Sequence, residues 1–468
     1  MDKKEAKFIK MTTSPVLPLL LRMSAPAVVS MLISAIYNAA DSYFVSSIDK
    51  QNGTNAAVGS IGVIFSFMAI LQAFGFMFGH GSGNYISRQL GKKFYDDAQK
   101  MAVTGVGLSF LTGLVISVFG LIFLDELATF LGSTPTILPY ARDYLRFILI
   151  AAPFQCAALT MNNQLRFQGN ARHGMVGLGV GAVLNMGLDP VLIPHLGVSG
   201  AGVATLVGQT LSFVLLLILT FTGGNLPMKP RCFAPTWGRI TELLRGGFPS
   251  FARQIIGSVA TILLNYALKG YGADAAAGGF GDDAIAAMSV IGRITMIVSS
   301  IVIGIGQGFQ PICGMNYGAG KIDRVLSAFY KAVLLSTGVY VVGALIGVPF
   351  APQILPRFVS GGAVDIGVRA LRYQLVPLIF SAYYLTGSMM MQNLGASLKA
   401  TILAVARQGL TFIPLILILP RVFGLEGALL AQPLSDVLCI LIAFPLMIPE
   451  TRKLKRAAAE IARKEAAV

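Results

Sequence analysis

Apolar residues run through this chain in long blocks separated by short polar stretches, and the blocks recur from one end to the other. A run of 18 or more residues with few charges is long enough to cross a bilayer as a helix. In lipid only a helix or a closed barrel satisfies the backbone's own hydrogen bonds. Such runs lie near residues 17–45, 56–82, 101–124, 138–160, 174–194, 199–222, 247–268, 284–310, 327–350, 370–392, 400–420 and 425–448. The pattern predicts an all-α polytopic membrane protein of about twelve transmembrane helices.

The pattern also repeats. LLRMSAP (20–26) matches LLRGGFP (243–249), and AAVGSIG (56–62) matches AAMSVIG (286–292). LGKK (90–93) aligns with AGKI (319–322), and LGVSGAGVATLVGQTLSF (196–213) with FGLEGALLAQPLSDVLCI (423–440). The order is kept throughout, so each half carries about six helices. An even number returns the chain to its starting side, and two such halves are related by a pseudo-two-fold axis along the membrane normal. The expected organisation is a tail (1–16), an N-terminal six-helix lobe (17–222), a linker with an interfacial helix (223–246), a C-terminal six-helix lobe (247–448) and a basic tail (449–468). Trp237, the only tryptophan, is expected to anchor that interfacial helix.

Composition agrees: 55% of the 468 residues are hydrophobic and 12% charged, with mean hydropathy +0.72. Soluble domains carry about 25% charged residues. The net charge of +15 would suit a nucleic-acid binder, but its distribution follows topology instead. With the N-terminus cytoplasmic, 25 Lys and Arg fall on inner segments against 8 outside, which predicts both termini in the cytoplasm. The first span is too long for a signal peptide and reads as a retained helix. Cys156, Cys232, Cys313 and Cys439 show no close spacing and read as packing residues.

Candidate chemistry lies in the few charges placed deep in spans. Asp41, in IYNAADSYFVSS, has Tyr37 and Asn38 one turn back, and Asp189, in NMGLDPVLI, has Asn185 at i−4. Charged residues within the bilayer are costly and mark ion or substrate pathways. Two carboxylates with neighbouring amides in one lobe read as a proton or cation site, the alternative being two hydrogen-bonded structural aspartates. Asp436 suits either role. Arg253, Arg293 and Arg407 belong to the C-terminal half and either line a polar cavity or pin helices to carbonyls. Pro26, four turns before Asp41, permits a bend that would link ion uptake to cavity shape. Gly-rich strings such as FGHGSGN follow no strand and read as helix contacts rather than phosphate loops. GFGD (279–282) sits in a polar loop without a protease partner motif, and the sequon at Asn52 carries no argument without a known host.

Several of these stretches resemble the multidrug and toxic compound extrusion family. LRMSAPAVVSMLISAIYNAADSYFVSSI, GSGNYISRQLGKK, NMGLDPVLI and YGAGK carry the likeness, and ARQGLTFIPLILILP with FGLEGALLAQPLSD is most similar to the bacterial MepA-like, DinF-containing branch. The likeness covers residues 17–448. It implies a cation-coupled antiporter that exports small organic, often cationic compounds by alternating access. It needs no cofactor beyond H+ or Na+, and works as a monomer, embedded in lipid, in the bacterial inner membrane. Carried over residue by residue, the resemblance makes Asp41, Asn185 and Asp189 the proton or Na+ site, with Thr205 as a further oxygen ligand and Tyr37 and Asn38 beside it. Some relatives place acids in the seventh and tenth helices; IIGSVATILLNYAL and YQLVPLIFSAYYL have none, which leaves coupling to the N-terminal lobe. Gln155, Asn163, Arg293 and Arg407 are expected at the substrate cavity, and Pro26 at a helix bend. A lipid-linked oligosaccharide flippase is the alternative function. A hydrolase is disfavoured by the lack of H-E-x-x-H and G-x-S-x-G, and no nucleic-acid partner is expected.

Overall fold

The computed structural model describes residues 3–52, 56–273 and 281–466, without the side chains at 3, 35, 37–43, 46–52, 56, 58, 269–273, 281, 282, 465 and 466. All the long elements described are helices. In the N-terminal half these are α1 (Lys3–Thr13), α2 (Val16–Asn52), α3 (Ala56–Gly91), α4 (Tyr95–Ile122), α5 (Leu124–Phe130), α6 (Leu138–Phe167), α7 (Ala171–Leu196) and α8 (Val198–Thr220). The second half continues with α9 (Trp237–Ala273), α10 (Gly281–Gly318), α11 (Ile322–Ile354), α12 (Gly362–Leu375), α13 (Leu378–Leu394), α14 (Ser397–Val405), a π-helical turn (Ala406–Phe412) and α15 (Ile413–Ala466).

Ten helical segments among the described residues satisfy a strict test of length and apolarity for crossing a membrane. Two features bring the passes to twelve. The tenth pass is split, because Pro377 has no amide proton to extend α12, so the chain restarts as α13. The last of the ten segments, residues 397–464, contains two passes, since α15 reverses at Gly424 (φ 59°, ψ −139°). That conformation is open only to glycine at low cost. Gly197, between α7 and α8, has nearly the same angles (φ 59°, ψ −141°), and it stands 227 residues earlier, at the equivalent place in the repeat. Just beyond each turn a second glycine, Gly200 or Gly427, packs on a carbonyl, that of Leu192 or Leu419, where a Cβ would collide. The two halves thus reuse one turn.

The register of the repeat shifts at one point. LGKK and AGKI set Gly91 opposite Gly320, but in three dimensions Gly91 corresponds to Gly318. Gly91 lies on the Met315 carbonyl and Gly318 on the Arg88 carbonyl, a reciprocal crossing of the ends of α3 and α10. Lys93 (φ 63°) and Gly320 (φ 75°) then take the left-handed positions that follow each helix.

Helices α2 to α8 form one bundle and α9 to α15 the other, meeting where α3 packs on α9 and α10, and α2 on α10. Glycines allow these crossings: Gly81 against the Leu243 carbonyl, Gly247 against that of Met77, Gly304 on Val28 and Gly308 on Ser24. Salt bridges staple the same end of the molecule, Arg88 to Glu242 (2.5 Å) across the lobes and Arg239 to Asp97 (3.1 Å). Both tails gather there. Lys321 Nζ donates to the Thr12 carbonyl (3.0 Å), Arg324 to that of Ser14 (2.6 Å), and Lys455 lies over the Tyr330 ring. Lys7 Nζ reaches Asn225 Oδ1 in the linker (3.0 Å), and burial with the nearby Lys4 charge lowers its pKa to about 8. The interfacial helix expected in the linker is not separate. Residues from Trp237 onward are the first turns of α9, and Trp237 stands 81% exposed there.

Gly247→Val is expected to force the lobes apart at this end, since its side chain has no room against the Met77 carbonyl. Spin labels at the exposed positions Lys100 and Lys453 would report a longer distance. An unchanged distance would show that this crossing does not hold the lobes together.

Candidate functional site: an interlobe cavity and a polar hollow beside it

Away from the stapled end the lobes part around a cavity of about 480 Å³. Its floor is a polar chain that crosses between the lobes. Arg166, near the end of α6, is 4% exposed, and its guanidinium donates to Gln307 Oε1 (2.6 Å) on α10, Asn163 Oδ1 (2.7 Å) and His80 Nε2 (3.0 Å) on α3. A guanidinium only donates, so Nε2 of His80 is the acceptor and the ring proton sits on Nδ1. From Nδ1 the chain continues to Ser250 Oγ on α9 (2.7 Å), which also accepts from Gln392 Nε2 on α13 (3.0 Å). Gln392 also donates to the Gly246 carbonyl (2.7 Å). Five helices from two lobes are thereby tied by uncharged partners around one buried cation.

The wall on the C-terminal side carries Arg253 from α9 and Arg407 from the π-helical turn. A π-helical turn holds a surplus residue and often occurs at functional sites. Arg407 forms an ion pair with Asp436 of α15, which is wholly buried and also accepts from Ser381 (3.2 Å). Asp436 is therefore the buried partner of Arg407. On the N-terminal side α3 contributes Phe65 and Phe76.

A smaller polar hollow of about 80 Å³ opens inside the N-terminal lobe, sharing Ser34 and Gln72 with the central cavity. Asn185 and Thr205 line it, and Asn185 Nδ2 donates to Thr205 Oγ1 (3.2 Å), joining α7 to α8. Asp189, one turn beyond Asn185, is completely buried. Tyr37, Asn38 and Asp41 fall on α2, on the stretch whose side chains lie outside the described residues. So do Gly53 and Thr54 of the sequon and the first half of GFGD.

Other expected cavity residues sit elsewhere. Gln155 lines the N-lobe hollow, not the central cavity, because α6 turns it away from the lobe interface. Asn163 is fully buried behind the wall, where it supports Arg166. Arg293 is exposed on α10 and absent from the described cavity wall. Sequence reading missed Arg166 and His80. Arg166 falls near a helix end, where a basic residue reads as one of the inner-side charges, and His80 is hidden in a glycine string. The signal available was NNQLR: Asn163 lies three residues before Arg166, a spacing that puts the two on one helical face. Pro26 lies inside α2, which continues through it, and Ser30 Oγ bonds to the Pro26 carbonyl (3.0 Å).

Two repeated helical bundles around an interlobe cavity define a polytopic membrane transporter. The MatE family profile matches residues 26–191 and again 254–418, once in each lobe, and the chain belongs to this family, the multidrug and toxic compound extrusion transporters. Among similar proteins, the multidrug export protein MepA of Staphylococcus haemolyticus is 26% identical over 446 residues, covering 94% of this chain and 95% of MepA. An outward-facing multidrug resistance MATE transporter of the MOP superfamily superposes with a TM-score of 0.87 at 23% identity, over 96% of this chain and 98% of that one. A MATE structure in a bent conformation has the same TM-score and identity, over 97% and 99%.

Proposed function

We propose that the protein exports small organic compounds through the interlobe cavity, driven by H+ or Na+ entering at Asp41, Asn185, Asp189 and Thr205. The observation that carries this reading is the hollow joining Asn185 and Thr205 to the cavity through Ser34 and Gln72, with Asp189 buried beside it. An ion bound there acts on the same helices, α2 and α7, that shape the substrate space. Ion uptake shifts the equilibrium between two lobe arrangements only by its differential affinity for them. Pro26, in α2, is the place where that helix would bend.

The protein acts as a monomer in the bacterial inner membrane with both termini cytoplasmic. The distribution of basic residues supports that orientation, and the gathering of both tails at the stapled end supports their sharing a side. The stapled end is then cytoplasmic, and the arrangement seen is outward-open. The guanidinium groups of the cavity favour a second reading, a flippase for a lipid-linked anion.

Protein reconstituted in vesicles should drive dye movement when a pH or a Na+ gradient is imposed separately, with at least one of the two accelerating it. Equal dye movement with and without both gradients would refute coupling.

A further inference from the structure

Three arginines, Arg166, Arg253 and Arg407, reach the wall of the interlobe cavity, and no carboxylate is present among its described wall residues. Arg407 is balanced from behind by Asp436. The other two are not. Arg166 is held by three amides and a histidine, which orient its charge without cancelling it. Arg253, half-buried on α9, makes no hydrogen bond or ion pair among the described residues. Arginine does not deprotonate in proteins, so both charges persist.

Unpaired charges in a site of low dielectric are costly unless water or an anion meets them, and they repel a cation that enters. The rest of the wall has a complementary division. Tyr340, Tyr384 and Ser300 supply hydroxyls on the C-terminal side, near Arg253 and Arg407, while Phe65 and Phe76 offer aromatic surface from the opposite lobe. Phe65 is left 49% exposed.

We propose that this cavity takes an amphiphilic organic anion. Its carboxylate, sulfonate or phosphate group sets against Arg253, above the Arg166 floor, and its apolar body lies against Phe65 and Phe76. The inference rests on the export reading above and replaces the cationic cargo that the family resemblance implies. The same headgroup chemistry belongs to free anions and to anionic lipids, so the test separates them.

The test uses full-length protein in vesicles with three probes: carboxyfluorescein, ethidium, and phosphatidylglycerol carrying a fluorescent acyl chain, whose exposure is read by dithionite quenching. Carboxyfluorescein movement above that of protein-free vesicles is expected. Arg253→Gln should lower it about tenfold or more, as loss of a hydrogen bond to a charged group implies, and Arg253→Lys should restore part of it. Both variants are checked for a single symmetric peak on size exclusion. If the lipid probe moves and carboxyfluorescein does not, with the same dependence on Arg253, the anion belongs to a lipid and the charge assignment stands. Gradient-driven movement of ethidium alone, unaffected by Arg253→Gln, overturns the anion while the export reading survives. Movement of none of the three under any gradient overturns both.

Discussion

Asp189→Asn is expected to abolish gradient-driven export and to leave a folded, membrane-inserted protein. The side chains are nearly isosteric, so packing in the fully buried site of α7 is kept, and only the capacity to ionise is lost. In lipid a neutral amide is no more costly than a carboxylate. On the proposed coupling role, what disappears is the ion's hold on the lobe: a buried acid is costly as an anion, and taking up H+ or Na+ relieves that cost. Asparagine fixes the relieved state permanently. Asp41→Asn should act in the same way, and each variant should transport at the rate seen without a gradient. Dye flux in vesicles under an imposed gradient measures this. Native rates in both variants would make these aspartates structural.

Arg407→Met should be among the most destabilising single changes in the C-terminal lobe. It leaves Asp436, wholly buried, without its cation, and breaking a buried pair from one side costs about 3–5 kcal/mol. Replacing both partners, Arg407→Met with Asp436→Leu, should recover most of that loss, because neither charge is then stranded. Thermal unfolding followed with a thiol-reactive dye suits the measurement, since Cys156, Cys313 and Cys439 are buried in the fold. Equal stability of the single variant and the native protein would show that the pair contributes nothing to folding.

The contrast between these two sites reflects what a sequence can display. Helix number and the internal repeat were legible because lipid demands long apolar runs, and the Gly197 and Gly424 turns demand glycine. Asp189 and Asn185 stood out because acids and amides are rare in such runs. Direction was not legible. Arg293 and Arg407 look alike in the sequence, yet one is exposed on α10 and the other faces the cavity from a π-helical turn, whose surplus residue no hydrophobic period announces. Arg166 looked like a loop charge because only the packing of α6 against α3 and α10 carries it inside. The interlobe chain through His80 and Ser250 joins residues 170 positions apart, and nothing local connects them. Pro377 separates α12 from α13, but its pass reads as one continuous run of 370–392 because apolar residues continue on both sides of the break.

In the proposed mechanism coupling between cargo and ion is reciprocal in its binding energies, so the cargo must be able to move the ion as well as the reverse. With no ion gradient present, a dye gradient should drive H+ or Na+ across the vesicle membrane in the opposite direction, read by a pH- or Na+-sensitive fluorophore trapped in the lumen. The account predicts a counterflow of one of these ions in the native protein and none in Asp189→Asn. Dye flux with neither ion moving, or an ion flux that persists undiminished in Asp189→Asn, would contradict it.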